Sequence, residues 1–497
     1  MQLVSSYLAA DLGVGSVADG MALVVQGGMA RLIYSEAELN AAMSLSLGSV
    51  TAPGSGYVSS ASLAAPGITS PQPASSIAFQ NTGSAIRAFL FDSHSGVLTS
   101  ALLGATGAPG GAQSVTTSVG ALHGVQTFAI MGGAGGDCAV LSTWNKAGLD
   151  IYLLASDGSM VYEGSITDSP KSYVGNVSDT AAITLGGVNY LLTLSSLENG
   201  LTSYQIGSDD TPTLIDSLGT HDGLWVSGPA AMQIIDLGGV TYAVIASTGS
   251  SSLSVVRVNA MGCLFVTDHV IDDLTTRFEH PQVLDSFSLQ GRAFVVSAGT
   301  DAGITVMELL PDGRLSPFYT VALETGAGLY NVTGLQVALN GSMLDIFVVD
   351  AHADRIQRFE MALDTLGGVI QAAAGTATGS TRDDLILGSA AAETLTGGAG
   401  DDWLHSGGGT DALSGGSGAD VFVFDASPGT DRITDYEKHT DRIDLSGWGH
   451  VYDLSALTIT ATVNGCTIAY GDHLLAVTTV NGHDLTVADF ALTDFIF

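Results

Sequence analysis

Five nine-residue blocks follow one another without a gap from Gly379 to Val423, and each carries a carboxylate at its sixth position. The blocks begin at Gly379, Gly388, Gly397, Ser406 and Gly415, and the acids are Asp384, Glu393, Asp402, Asp411 and Asp420. A large apolar residue recurs at the eighth position, as Ile386, Leu395, Leu404, Leu413 and Phe422. Glycines fill much of the first half of the blocks, at Gly379, Gly397, Gly398, Gly400, Gly407, Gly409, Gly415, Gly416 and Gly418. Glycine lets the backbone take φ > 0, so carbonyls can turn toward one point. Carbonyl and carboxylate oxygens are hard donors, and Ca²⁺ takes roughly six to eight of them at about 2.3–2.6 Å.

The spacing predicts a six-residue turn and a three-residue strand per block, two blocks to a coil. Alternate blocks then share an edge. One edge stacks Asp384, Asp402 and Asp420, with Ca²⁺ expected between Asp384 and Asp402 and between Asp402 and Asp420. The other edge faces Glu393 with Asp411. That third site is expected to be weaker, because Gly-Ser-Ala-Ala-Ala-Glu has lost glycines and carries a longer acid. Without Ca²⁺ the crowded acids Asp383, Asp384, Asp401 and Asp402 repel one another, and the segment is expected to be disordered until the ion arrives.

The blocks resemble the calcium-binding β-roll repeat of RTX proteins, G-G-x-G-x-D-x-U-x. The stretch from Gly429 to Ser446, Gly-Thr-Asp-Arg-Ile-Thr-Asp-Tyr-Glu-Lys-His-Thr-Asp-Arg-Ile-Asp-Leu-Ser, is similar to the one that follows the roll in serralysin-type metalloproteases. Leu474 to Phe490 and the ending Asp494-Phe-Ile-Phe497 resemble that family too. His439 stands where the family usually has Gly, and Tyr436 where it has Phe. The resemblance implies export by a type I ABC transporter apparatus, and folding of the roll by Ca²⁺ outside the cell. It does not carry the protease. None of the 11 histidines opens an H-E-x-x-H motif, so that family's zinc site is missing.

Composition agrees with an ion-binding extracellular protein. Against 49 acidic residues stand 14 Lys and Arg, a formal net charge of −35, which argues against nucleic acid and anionic membranes as partners. Met1-Gln-Leu-Val-Ser-Ser-Tyr lacks the basic and apolar regions of a secretory signal peptide. No stretch approaches the roughly 20 apolar residues of a membrane span. Cys138, Cys263 and Cys466 are odd in number and far apart, so no disulfide framework is indicated.

The first three quarters of the chain follow a longer rhythm. Gly187, Gly239, Gly291 and Gly341 are spaced 52, 52 and 50 residues apart, and an alternating apolar strand follows each. Short strands grouped four to a period near fifty predict an all-β fold, with β-propeller blades in the N-terminal part. The expected organisation is a propeller over 1–368 with about seven blades (six if residues 49–75 form a long loop). The roll follows over 379–423 and a small β cap with the export signal over 424–497. Phrases such as Pro311-Asp-Gly-Arg-Leu315 look like the seven-bladed propellers of the lactonase and carboxymuconate-cyclase group. That is a likeness of strand rhythm.

Chemistry on the propeller is less legible. His221 and the pair Glu279-His280 fall just before predicted innermost strands, so with Asn331 they are candidates for metal ligands or an acid/base set at the channel mouth. The reading preferred for them is that of loop residues that hydrogen-bond neighbouring blades. Asp350-Ala-His-Ala-Asp354 could hold a divalent ion in a tight turn, or simply form a polar turn. No G-x-S-x-G nucleophile elbow and no P-loop occurs. Two readings result. One is a secreted, calcium-stabilised propeller that binds an extracellular ligand or surface; the other is an extracellular lactonase-like or other hydrolase.

Overall fold

The computed structural model describes residues 1–8, 21–26, 29–36, 41–49, 57–59, 77–81, 85–91, 98–105, 110, 113–119, 122, 124–133, 136–144, 146–207, 210–322, 329, 332–350, 355–373, 375–426, 429–449, 451 and 453–497. The chain divides into two compact units. One is Met1–Ser288 with Arg292–Ala362, and the other is Leu289–Gly291 with Leu363–Phe497.

The first unit is a β-propeller. Five four-stranded antiparallel sheets follow in order along the chain: residues 77–114 (blade 1), 125–166 (blade 2), 177–218 (blade 3), 229–271 (blade 4) and 283–322 (blade 5). The anchor glycines of the repeat are explained by the first hairpin of each blade. At Gly186-Gly187 both residues have φ > 0, at 57° and 84°, and Gly238-Gly239 repeats the pattern at 59° and 84°. That is the backbone of a two-residue type I′ hairpin, whose twist matches its flanking strands.

Blade 6 is built from both ends of the unit. Val332–Asn340, Met343–Asp350 and Arg355–Ala362 form its first three strands, and Gln2–Leu8 pairs antiparallel with Arg355–Ala362 as the fourth. Tyr57–Ser59 joins the opposite side, on Val332–Asn340. Met21–Gln26, Met29–Glu36 and Ala41–Ser49 make a separate three-stranded sheet. Among the described residues there are thus six full blades where about seven were expected. The correction has a simple cause: the described residues among the first fifty form no four-stranded blade, because their first strand is used to complete the last one.

Adjacent blades are joined by apolar packing and by buried carboxylates. Leu192 and Leu194 of blade 3 pack with Ala243, Ile245 and Val256 of blade 4 in one fully buried cluster. Beside it, Asp179 sits just after a β-bulge in the first strand of blade 3. Its Oδ1 accepts from Thr180 N–H (2.6 Å) and its Oδ2 from Met232 N–H of blade 4 (2.7 Å). Asp285 repeats the arrangement between blades 5 and 6, accepting from Ser286 N–H and Val337 N–H, both at 2.7 Å. On the fourth strands, Asp216 and Asp268 reach Leu264 N–H (2.9 Å) and Leu315 N–H (2.7 Å) of the following blades. A bulge frees a backbone N–H from the ladder, and the carboxylate bridges it to the next blade.

The second unit is a roll of two parallel sheets. Leu366–Gln371, Asp383–Leu387, Trp403–His405, Val421–Asp425, Arg442–Gly447 and Phe495–Ile496 stack on one side. Thr376–Thr378, Thr394–Ala399, Ala412–Ser417, Thr430–Tyr436 and His473–Thr479 stack on the other, extended by the antiparallel strands Gly465–Tyr470 and Thr458–Thr462. The eighth-position residues register as the spacing requires: Ile386 over Leu404 over Phe422, and Leu395 over Leu413. All five are fully buried in one core. Each such side chain contributes roughly 1.5–3 kcal/mol of apolar burial. Parallel stacking continues past Val423 without interruption, because Ile433 follows Leu413 and Ile443 follows Phe422. Among the described residues no helix is long and apolar enough to cross a membrane.

Candidate metal centre

The stacked turns put the sixth-position carboxylates into two ladders. On the first edge Asp384 N–H donates to Asp402 Oδ1 (2.7 Å), and Asp402 N–H donates to Asp420 Oδ1 (2.9 Å). On the second, Glu393 N–H donates to Asp411 Oδ1 at 2.7 Å. The residues expected to face one another therefore do. One carboxylate oxygen orders the coil before it, which leaves the other oxygen to its own turn.

Those second oxygens fall into two classes. Asp384 Oδ2 accepts from both the N–H (2.6 Å) and the hydroxyl (2.7 Å) of Ser380. Glu393 is satisfied likewise by the N–H and hydroxyl of Ser389. In the third and fourth blocks glycine replaces this serine, at Gly398 and Gly407. There, Asp402 Oδ2 and Asp411 Oδ2 are buried and no donor reaches them. A buried carboxylate oxygen without a donor is costly unless a cation supplies the missing charge.

Carbonyls complete the setting. A Cβ built on Gly397 would run into both Asp402 Oδ2 and the Gly415 carbonyl oxygen, so those two oxygens converge on one small space. At Gly416 and Gly418, with φ of 101° and 139°, a Cβ would strike the carbonyls of Gly398 and Gly400 in the coil above. Any side chain would close this cradle. Among the described residues no three His, Cys, Asp or Glu side chains converge. The donors are backbone carbonyls with few carboxylates, which fits a hard cation such as Ca²⁺ and not a thiol- or imidazole-seeking metal. Burial, and then the charges of Asp420, Asp384 and Asp383, pushes Asp402 up to about 7. Burial also raises Asp420 to about 6, aided by Asp435, Asp401 and Glu437. The roll without cation is short of positive charge at these edges.

Two ladder residues lie beyond the nonapeptide run. Asp420 N–H donates to Asp441 Oδ1 (3.1 Å), and Asp411 N–H donates to Asp431 Oδ1 (2.8 Å). Sequence spacing hides them, since they stand 21 and 20 residues on instead of 18. The signal that reveals them is the Asp-Arg-Ile shared by Asp431 and Asp441, an acid two places before an inward apolar residue.

The propeller candidates occupy loops that lead into first strands. His221 lies exposed in the short 3-10 turn Thr220–Asp222, after blade 3. Glu279 and His280 end the loop before blade 5, their side chains half-exposed, with His280 Nδ1 3.8 Å from the Glu279 carboxylate. His280 has φ of 51°, and the matching positions before blades 2, 3 and 4 are Gly124 (72°), Asn176 (50°) and Gly228 (55°). The Asn176 side-chain amide donates to Ser196 Oγ (2.7 Å), and His280 Nδ1 meets Thr300 Oγ1 (3.3 Å) in the same place. The N–H of Gly228 donates to Asn199 Oδ1 and that of His280 to Ser251 Oγ, on the blade before in each case. His280 thus fills a recurring loop-tying position. The Glu279 carboxylate reaches Thr300 Oγ1 (3.3 Å) and is otherwise open to solvent. Asp350 is buried at the end of its strand. Asn331, His352 and Asp354 lie outside the described residues.

Exposed apolar side chains also occur at this end of the blades. Trp225 and Leu274 in the loops between blades, Ile271 at the end of blade 4's last strand, and Leu197 in a loop within blade 3 are 62%, 92%, 61% and 71% exposed.

Residues 387–422 match the RTX calcium-binding nonapeptide repeat, in four copies. No curated protein sequence matches the chain. Among solved structures, a protein from Lactobacillus plantarum is 11% identical with a TM-score of 0.40, covering 69% of this chain and 96% of its own. A putative 6-phosphogluconolactonase from Bacteroides uniformis is 13% identical with a TM-score of 0.39, covering 70% and 97%. A periplasmic gluconolactonase from Pseudomonas aeruginosa is 13% identical with a TM-score of 0.40, covering 69% and 96%. Matched sequence, stacked coils and oxygen-lined edges coincide over the same residues, and the chain carries an RTX calcium-binding repeat roll that follows a β-propeller in the sequence.

Proposed function

We propose that the protein is a secreted, calcium-dependent RTX protein, exported by a type I ABC system, whose propeller binds an extracellular ligand or surface. The observation that carries the calcium part is Asp402 Oδ2, buried without a donor beside the Gly415 carbonyl. The roll's residues Asp402, Asp411 and Asp420 and the carbonyls of the glycine turns would hold the ion. When bound, Ca²⁺ neutralises the stacked carboxylates and links successive coils. The chain itself supplies everything else: the inward apolar stack, the N–H to Oδ1 ladder, and the open turns.

A binding role for the propeller is read from the exposed Trp225, Ile271, Leu274 and Leu197 at one end of the blades, which would serve as an interaction surface if they form a contiguous patch. The hydrolase alternative rests on His221, Glu279 and His280. The ties of His280 to Thr300 and Ser251 match those of its counterparts, so loop architecture accounts for it without catalysis.

Calcium titration of the full-length chain tests the first part, followed by circular dichroism and tryptophan fluorescence. Saturable binding that EGTA reverses, with a lowered melting temperature of the roll and an unchanged one of the propeller, is expected. A chain whose roll signal and stability ignore both calcium and EGTA would overturn the reading. Export is tested in cells with and without a compatible ABC transporter; equal release from both would exclude the type I route.

A further inference from the structure

The second edge of the roll holds a feature that the nonapeptide phase does not account for. Asp411 is almost wholly buried, yet no donor reaches its Oδ2. Where the equivalent oxygen is framed on the first edge, Asp402 Oδ2 converges with the Gly415 carbonyl, which belongs to the following coil. The free oxygen of a ladder carboxylate therefore serves the gap toward the next coil. By that rule Glu393 serves the gap toward Asp411, and its oxygens are already taken by Ser389 N–H and Oγ. Asp411 serves the gap toward Asp431.

That gap is built like the others. Asp411 N–H donates to Asp431 Oδ1 at 2.8 Å, and Asp431 is itself buried. Gly429, with φ of 144°, stacks so closely under Gly409 that a Cβ would strike the Gly409 carbonyl oxygen, as a Cβ on Gly409 would meet Ala391.

We propose that a Ca²⁺ ion is held between Asp411 and Asp431, one coil beyond the nonapeptide run, and that this replaces Glu393–Asp411 as the main site of the second edge. The proposal rests on calcium binding by the roll and extends it to a residue outside the repeat. Hard oxygen donors set the class of ion.

The test is calcium stoichiometry on the full-length chain, by native mass spectrometry and titration calorimetry, for the wild type, Asp431→Asn and Asp402→Asn. Asparagine keeps a side-chain oxygen for the Asp411 N–H while removing the charge. Asp431→Asn is expected to lose one ion and to keep the ion that Asp402→Asn loses. If Asp431→Asn keeps the wild-type count while Asp402→Asn falls by one, this inference is overturned and the calcium reading stands. If both keep the wild-type count, the calcium reading itself fails. Should Asp431→Asn not fold, wild-type crystals exchanged into Tb³⁺ decide the matter. An anomalous peak between Asp411 and Asp431 supports the site, and peaks on the first edge alone remove it.

Discussion

The backbone N–H of Asp384 donates to Oδ1 of Asp402, eighteen residues later, at 2.7 Å. Each ladder aspartate thus has two separate tasks, whereas both oxygens of Glu393 are taken by Ser389. One oxygen fixes the coil before it, and the other is either held by a local serine or left without a donor, where a cation would fit. The identity of the second residue in each block, Ser or Gly, decides which.

Removing the charge at Asp402 tests the cation side of that division. Asp402→Asn leaves an acceptor for Asp384 N–H but weakens the pull on Ca²⁺. The expected result is loss of one ion, or at least a tenfold weaker affinity at that site, about 1.4 kcal/mol. Calorimetry on the full chain reads it directly. Unchanged affinity and count would mean that the first edge is not a calcium site.

Opening a closed turn tests the serine side. Ser380→Gly removes the hydroxyl held by Asp384 Oδ2 and restores the Gly-Gly start seen at Gly397 and Gly415. The variant is expected to bind Ca²⁺ more tightly in the Asp384–Asp402 gap, and to be less stable than wild type in EGTA. A variant with wild-type calcium affinity would show that the serine does not compete with the ion.

Much of this was legible in the sequence. The block phase placed Asp384, Asp402 and Asp420 on one edge and all five eighth-position residues inside, because a period-two coil leaves no other register for them. Asp431 and Asp441 were not legible, since longer turns shift them out of phase while tertiary stacking brings them back into line. The blade count was misjudged because strand rhythm cannot show that Gln2–Leu8 pairs with Arg355–Ala362. The role of His280 depends on φ and on its resemblance to Asn176, and neither is visible in residue type.

The calcium-free roll should respond to pH in the reverse of the usual acid denaturation. Burial raises Asp402 to about 7, and Asp411 and Asp420 to about 6, against about 3.9 in an unfolded chain. Folded carboxyls that hold protons more tightly than unfolded ones stabilise the fold at low pH. That contribution is complete below about pH 4 and is lost as pH rises through the range of about 6 to 7. In EGTA the roll's melting temperature should therefore fall between pH 5 and pH 8, and in saturating Ca²⁺ this fall should disappear or reverse. A calcium-free melting temperature that rises across this range would contradict the burial of these groups.

The last strand also carries weight. Phe495 is buried, pairs in parallel with Ile443 and lies 5.3 Å from the Phe490 ring, while the carboxylate of Asp494 meets His439 Nδ1 at 3.2 Å. Phe495→Ala leaves a cavity in the roll's core and is expected to cost about 3–5 kcal/mol of its calcium-loaded stability. Chemical denaturation followed in the roll, with the propeller transition unmoved, is the measurement. A loss below about 1 kcal/mol would place Phe495 outside the cooperative core.

His280→Asn separates architecture from catalysis on the propeller. Asn is the residue at the matching position before blade 3, where it takes the same left-handed φ and bonds the matching hydroxyl. Asn also tolerates that conformation better than most residues. If His280 only ties loops, the substitution should leave the propeller's melting temperature equal or slightly higher, and any ligand binding intact. His280→Ala should lower it, because alanine keeps the strain and loses the contact to Thr300. Should the wild type hydrolyse members of a lactone and ester panel, and His280→Asn abolish that turnover without changing stability, the imidazole would be acting as an acid or base. The hydrolase reading would then displace the binding one. The comparison is informative because asparagine preserves the geometry the loop needs and removes the one property, a titratable nitrogen, that catalysis would need.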